Sequence, residues 1–110
     1  MKKSENYLDK IPVRNENIKW SEKEGKVTIE IKNTGIINKI AQKLFKKPEI
    51  SYIYLDEMGS FIWIAIDGEK DITSIGKEFY EKFGEKANPL YERLIKYMSI
   101  LQSYNFIELK

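Results

Sequence analysis

The chain has no cysteine and no histidine. Without cysteine there are no disulfides, no thiolate nucleophile and no thiolate site for zinc or an iron–sulfur cluster. Without histidine the commonest general base and the commonest metal ligand are missing as well. Only carboxylates, lysine, tyrosine and hydroxyls remain for catalysis, so the inventory argues against an enzyme. Charge of one sign is also scarce: 19 basic against 17 acidic residues leave a formal charge of +2, too little for a general electrostatic claim on nucleic acid or membrane. The longest apolar run, Phe61–Ile66, is far shorter than a bilayer requires. Met1–Lys10 lacks the apolar segment of a secretory signal. These absences describe a soluble cytoplasmic protein, with no catalytic residue, metal or cofactor expected.

The chain does contain the material for one ordinary core: 110 residues, 42% of them hydrophobic. Residues 1–17 read as a loosely ordered polar arm, tacked down by Tyr7, Leu8 and Ile11, and residues 18–110 as a single domain. Val27, Ile29 and Ile31 alternate with Thr28, Glu30 and Lys32, the period of a half-buried strand. With Ile18–Ser21 before the turn at Lys23–Lys26, they predict a β-hairpin. Asn33–Pro48 has Ile36, Ile37, Ile40, Ala41, Leu44 and Phe45 at helical spacing, with Lys39, Lys43, Lys46 and Lys47 between them. That pattern predicts an inserted amphipathic helix with its lysines in water; an acidic partner or anionic membrane is the alternative reading. Ser51–Leu55 is β-branched and aromatic and predicts a third strand.

From Leu55 onward the period changes to that of helices. Asp56 is a candidate cap for a short helix over Glu57–Asp67, apolar almost all round and therefore buried. Asp67-Gly68 is its stop signal, and Asp71 caps a second helix reaching Phe83, which Gly84 ends. Asn88-Pro89 reads as a cap followed by a first helical residue, opening a third helix over Pro89–Tyr104 that Asn105 closes. Phe106–Leu109 is a candidate closing strand. The third helix has Glu92, Lys96, Ser99 and Ser103 on a narrow polar face, while apolar residues and tyrosines fill the remainder. The apolar arc is about twice the stripe that an ordinary surface helix needs. Either the helix packs on two sides, or one flank lines a groove, to which tyrosines are suited.

The order of these motifs resembles the PqqD family of small peptide-binding proteins and precursor-peptide recognition elements. The resemblance rests on Trp20, the turn at Gly25 with Val27-Thr28-Ile29, Gly59-Ser60-Phe61-Ile62-Trp63, Ile66-Asp67-Gly68, Asp71-Ile72, Ile75, Phe83, Leu94, Leu101 and Phe106-Ile107. It implies an α+β, winged-helix-like domain: an N-terminal β-hairpin and a third strand followed by three helices, here with the extra amphipathic helix before the third strand. It further implies that the leader of a precursor peptide adds as a strand to the third strand's edge, against the last helix. A modifying enzyme, often of the radical S-adenosylmethionine class, then acts on the rest of the peptide. Carried onto this chain, the peptide-binding residues are Tyr52, Ile53, Tyr54, Leu94, Tyr97, Met98 and Leu101. Proline at residue 53 is the damaging substitution if that N–H faces the peptide. The inserted helix or the N-terminal arm are the two segments that could cover the groove.

Three other functions compete. A winged-helix DNA-binding protein would read bases with Arg93, Lys96 and Gln102, a small polar set for a recognition helix. An enzyme would draw on Asp56, Glu57 or Asp67, each of which also suits a helix end. A self-associating domain would use the free strand edge or the last helix on a second copy.

Overall fold

The computed structural model describes residues 7–32 and 50–110. The predicted helix at Asn33–Pro48 lies outside the described residues. The hairpin forms as β2 (Lys19–Lys23) and β3 (Lys26–Lys32), with Lys23 opposite Lys26. Glu24 and Gly25 both have positive φ, 52° and 81°, the two-residue turn whose twist matches a hairpin. The third strand, β4 (Ile50–Tyr54), pairs antiparallel with β3, giving the order β2-β3-β4.

Helices α1 (Glu57–Ala65), α2 (Ile72–Phe83) and α3 (Leu90–Ser103) follow, so the class is α+β, with a three-stranded sheet, a two-stranded sheet and three α-helices among the described residues. Both predicted acidic caps are made: Asp56 accepts from Gly59 N at 2.7 Å and Asp71 from Ser74 N at 2.8 Å. Two helix bounds are corrected. The first helix stops at Ala65, because Asp67 turns its carboxylate to the N–H groups of Glu69 and Lys70, each at 2.9 Å. The third starts at Leu90, with Pro89 in the cap position and no side-chain cap. Asn88 instead donates its N–H to Glu85 O, closing the turn after α2.

The N-terminal arm is more ordered than expected, and Tyr7 and Leu8 pack against the core. Pro12–Arg14 forms β1 and pairs antiparallel with β5 (Ile107–Leu109) in a separate two-stranded sheet. Pro12 is fully buried, Ile72 N–H donates to Lys10 O, and Thr73 Oγ1 donates to Leu8 O. The segment from Tyr7 to Asn15 is thus committed to β5 and the start of α2. Arg14 stacks over Trp20 at 4.8 Å and Trp63 at 5.7 Å from the ring centres. Burial lowers its pKa, and the charge of Asp67 opposes that shift.

One core joins these elements. Trp63 is completely buried and meets Trp20 and Phe106 edge-on. Val27 and Ile29 of β3, Ile62 and Ile66, Ile72, Ile75 and Phe79 of α2, and Leu94 and Met98 of α3 complete it. At Gly76 the side chain of Leu94 on α3 packs directly against α2: a Cβ there would lie 2.7 Å from Leu94 Cδ1. Ser60 is the buried polar residue that joins α1 to the sheet. Its Oγ accepts from Val27 N at 2.8 Å and donates to Leu55 O at 3.3 Å, bridging the end of the β3–β4 ladder.

Candidate functional site

β4 ends the sheet order β2-β3-β4, and its far side is the candidate edge. The direction of its main-chain groups follows from one bond. Leu55 N–H donates to Val27 O at 2.9 Å. Successive residues of an antiparallel strand turn their N–H and C=O alternately to the two sides. Ile53, opposite Ile29, is therefore bonded to β3, while Tyr52 and Tyr54 present their main-chain groups away from it. Among the described residues, nothing pairs with those groups. The side chains alternate too: Ile53 and Leu55 pack against the core, whereas Tyr52 and Tyr54 are exposed.

The chain then turns at Asp56 into α1, and α3 reaches this corner through Tyr97. Its hydroxyl donates to Asp56 Oδ1 at 3.1 Å, and its ring edge lies 3.2 Å from where a Cβ on Gly59 would sit. Gly59 is therefore the residue that lets the tyrosine lie against α1. Burial raises the Tyr97 pKa, and the negative charge of Asp56 and the bond to it raise it further, against a smaller opposing effect of Arg93. Tyr97 thus remains a protonated donor at neutral pH. Beside it, Arg93, Lys96 and Ile100 complete a shallow hollow of about 260 Å³. Arg93 is partly occupied by long bonds to Ala87 O (3.3 Å) and Asn88 O (3.4 Å).

The broad apolar arc of α3 divides into three parts. Leu94 and Met98 are completely buried and Leu101 is 6% exposed, so these three serve the core. Their side chains face the core, whereas Tyr97 is half-buried at the surface. Tyr91 and Ile95 stand exposed on one flank, and Ile100 and Tyr104 on the other, where Tyr97 is half-buried. Of the residues singled out from the sequence, Tyr52, Ile53, Tyr54 and Tyr97 thus lie on or beside the β4 edge. Ile100 and Arg93 also lie on the Tyr97 flank; the helical period marks an apolar arc without telling which part of it the core takes.

Roomier hollows lie elsewhere. One, of about 430 Å³, has Phe61 and Ile64 in its lining beside the hairpin turn. Another, of about 470 Å³, lies over β1 and β5. Two of the three carboxylates considered for catalysis are in structural bonds: Asp56 caps α1, and Asp67 holds the turn after it; Glu57 is exposed in the first turn of α1. The backbone N–H groups of Lys70 and then Glu69 lower the Asp67 pKa, which keeps it ionised and unsuited to donating a proton. No group of three or more acidic side chains placed to hold a metal ion occurs among the described residues. No helix among them is long and apolar enough to cross a membrane.

Compared with protein-family models, residues 47–107 match the family described as Coenzyme PQQ synthesis protein D (PqqD). The match takes in β4, all three helices and the start of β5, more than half of the chain; the β2–β3 hairpin lies outside it. No curated protein and no solved structure matches the chain in the corresponding comparisons.

Proposed function

This chain belongs to the PqqD family, and on that premise we propose that it is a non-catalytic, peptide-binding accessory protein of a peptide-modification pathway. It recognises the leader of a precursor peptide by strand addition to β4 and presents the peptide to a modifying enzyme, of the radical S-adenosylmethionine class. The hairpin, third strand and three helices form the winged-helix-like frame for that edge.

The observation that carries this reading is the outward direction of the main-chain groups of Tyr52 and Tyr54 on the last strand of the sheet. Such groups supply affinity to an added strand, and the neighbouring side chains supply selectivity. The wall facing that strand is the Tyr97 flank of α3, with Ile100 and Arg93; Leu94, Met98 and Leu101 hold the wall in place from behind. DNA recognition fits less well, since Arg93 already turns toward two backbone carbonyls.

The test is an NMR titration of isotope-labelled protein with the leader segments of short peptides encoded beside its gene. Amide shifts at Tyr52–Leu55 and at Arg93–Ile100 are expected. Shifts that avoid β4 with every leader would overturn the proposal. Concentration-dependent sedimentation with loss of the same signals would assign the edge to a second copy of the chain.

A further inference from the structure

β4 carries two large side chains that the fold leaves uncovered: Tyr52 is 52% exposed and Tyr54 76%. Edge strands are commonly blunted by lysine, proline or an inward-pointing charge. Here two aromatic rings stand on the residues whose main-chain groups face outward. On the β3 side the register puts Glu30 beside Tyr52 and Thr28 beside Tyr54, with Lys19 and Ser21 beyond them on β2. Among the described residues, the register places no aromatic or large aliphatic side chain beside either ring from that direction.

The other direction is the one an added strand would take. In an antiparallel ladder, residues that exchange both main-chain bonds lie directly opposite one another, about 5.5 Å apart at Cα, with side chains on the same face. Residues bonded to Tyr52 and Tyr54 would therefore set their side chains beside the two rings. The residue between them would turn inward, toward Tyr97 and Ile100. Aromatic–aromatic and aromatic–β-branched neighbours are the favourable cross-strand pairs.

We propose that the bound peptide is read on its solvent-side face by the tyrosine pair, and that its two residues opposite Tyr52 and Tyr54 are aromatic or β-branched. The occupant is an extended segment whose two large side chains, at alternate positions, share the tyrosines' face, while the residue between them turns toward Tyr97 and Ile100. This inference rests on the strand-addition reading given above. Two such pairs together strengthen binding by about tenfold.

The experiment selects a displayed library of random peptides on the wild-type protein and on a Tyr52→Ser/Tyr54→Ser variant. Both substituted positions are exposed, and a thermal melt verifies that the variant is folded. A peptide enriched on wild type is then compared with its counterpart in which both large residues are serine, on both proteins, with amide shifts locating the binding. Selection on wild type is expected to enrich two large aromatic or β-branched residues separated by one position. The serine peptide is expected to bind wild type about tenfold more weakly, and the difference to fall to about twofold or less on the variant. Peptides that shift the β4 amides but lose equally on both proteins would overturn the tyrosine reading and leave strand addition standing. Library peptides that leave the β4 amides unmoved, or a library from which none binds, would overturn strand addition and this inference with it.

Discussion

The Tyr97 hydroxyl donates to Asp56 Oδ1 at 3.1 Å, while the same oxygen accepts Gly59 N–H at 2.7 Å. One carboxylate thus caps α1 and fastens α3 at the corner where β4 ends. Tyr97→Phe removes the bond and keeps the ring, so the expected loss is about 1 kcal/mol in a urea melt at neutral pH. The tyrosyl pKa is raised above 10.0 by burial first and by Asp56 second. A raised folded value means that its contribution is complete below the unfolded value and is lost as pH rises through the folded one. Stability should therefore fall on the alkaline side near the tyrosine range, and Tyr97→Phe should flatten that limb. An unchanged alkaline slope would remove Tyr97 from the account.

Ser60→Ala should cost more than a surface serine would. The hydroxyl stands between Val27 N–H and Leu55 O, and methyl substitution leaves both without it inside the fold. A buried unsatisfied group costs about 1–3 kcal/mol. Hydrogen exchange should show the Val27 and Leu55 amides opening first. A loss under a few tenths of a kcal/mol would mean that water replaces the hydroxyl there.

Gly76→Ala sets two effects against each other. Alanine is favoured over glycine in a helix by about 1 kcal/mol. Its Cβ, however, would lie 2.7 Å from Leu94 Cδ1, and Leu94 is completely buried. Overpacking typically costs about 1–3 kcal/mol, so net destabilisation is expected. Leu94→Ala on the Gly76→Ala background should then cost less than in the wild type. A stabilised Gly76→Ala protein would show that α2 and α3 can separate at no cost.

Acid should weaken the turns on either side of the α1–α2 connection. The N–H groups of Lys70 and Glu69 lower the Asp67 pKa, and the N–H and then the hydroxyl of Ser74 lower that of Asp71. A depressed folded pKa gives stability that is present above the unfolded carboxylate value and lost as pH falls through the folded value. Thermal melts should therefore decline below the ordinary carboxylate range near 3.8. Asp67→Asn and Asp71→Asn should each make that decline shallower, and an unchanged decline in both would assign it to other carboxylates.

Much of this arrangement was legible in local chemistry. The alternation at Val27–Lys32 and the caps at Asp56 and Asp71 depend on neighbours in sequence, and they formed as read. The β1–β5 pair was not legible, because three polar-flanked residues at one end find their partners near the other. No local period marks such a pairing. The candidate site was readable only as far as β4 and Tyr97. Leu94, Met98 and Leu101 share the apolar arc with Tyr97 and Ile100, and only the packing of α2 and β5 decides which part is buried.

The direction of the β4 main chain separates two proline substitutions that the sequence could not tell apart. Residue 53 was the natural place to block an incoming strand, but Ile53 is bonded to β3 opposite Ile29. Ile53→Pro should therefore remove a ladder bond and open the sheet's end, seen as a loss of about 1–3 kcal/mol by urea melt. Tyr54 directs its N–H away from β3, a position where an edge strand tolerates proline. Tyr54→Pro should keep the fold, with near-wild-type circular dichroism and melting, and lose the strand-adding peptide, because it lacks the outward donor. Tyr54→Ser separates the two contributions of this residue: it keeps the N–H and removes the ring. Peptide affinity should thus fall least for Tyr54→Ser and most for Tyr54→Pro, at equal stability. A folded Tyr54→Pro protein that binds a strand-adding peptide as well as wild type would show that the peptide does not pair with this edge.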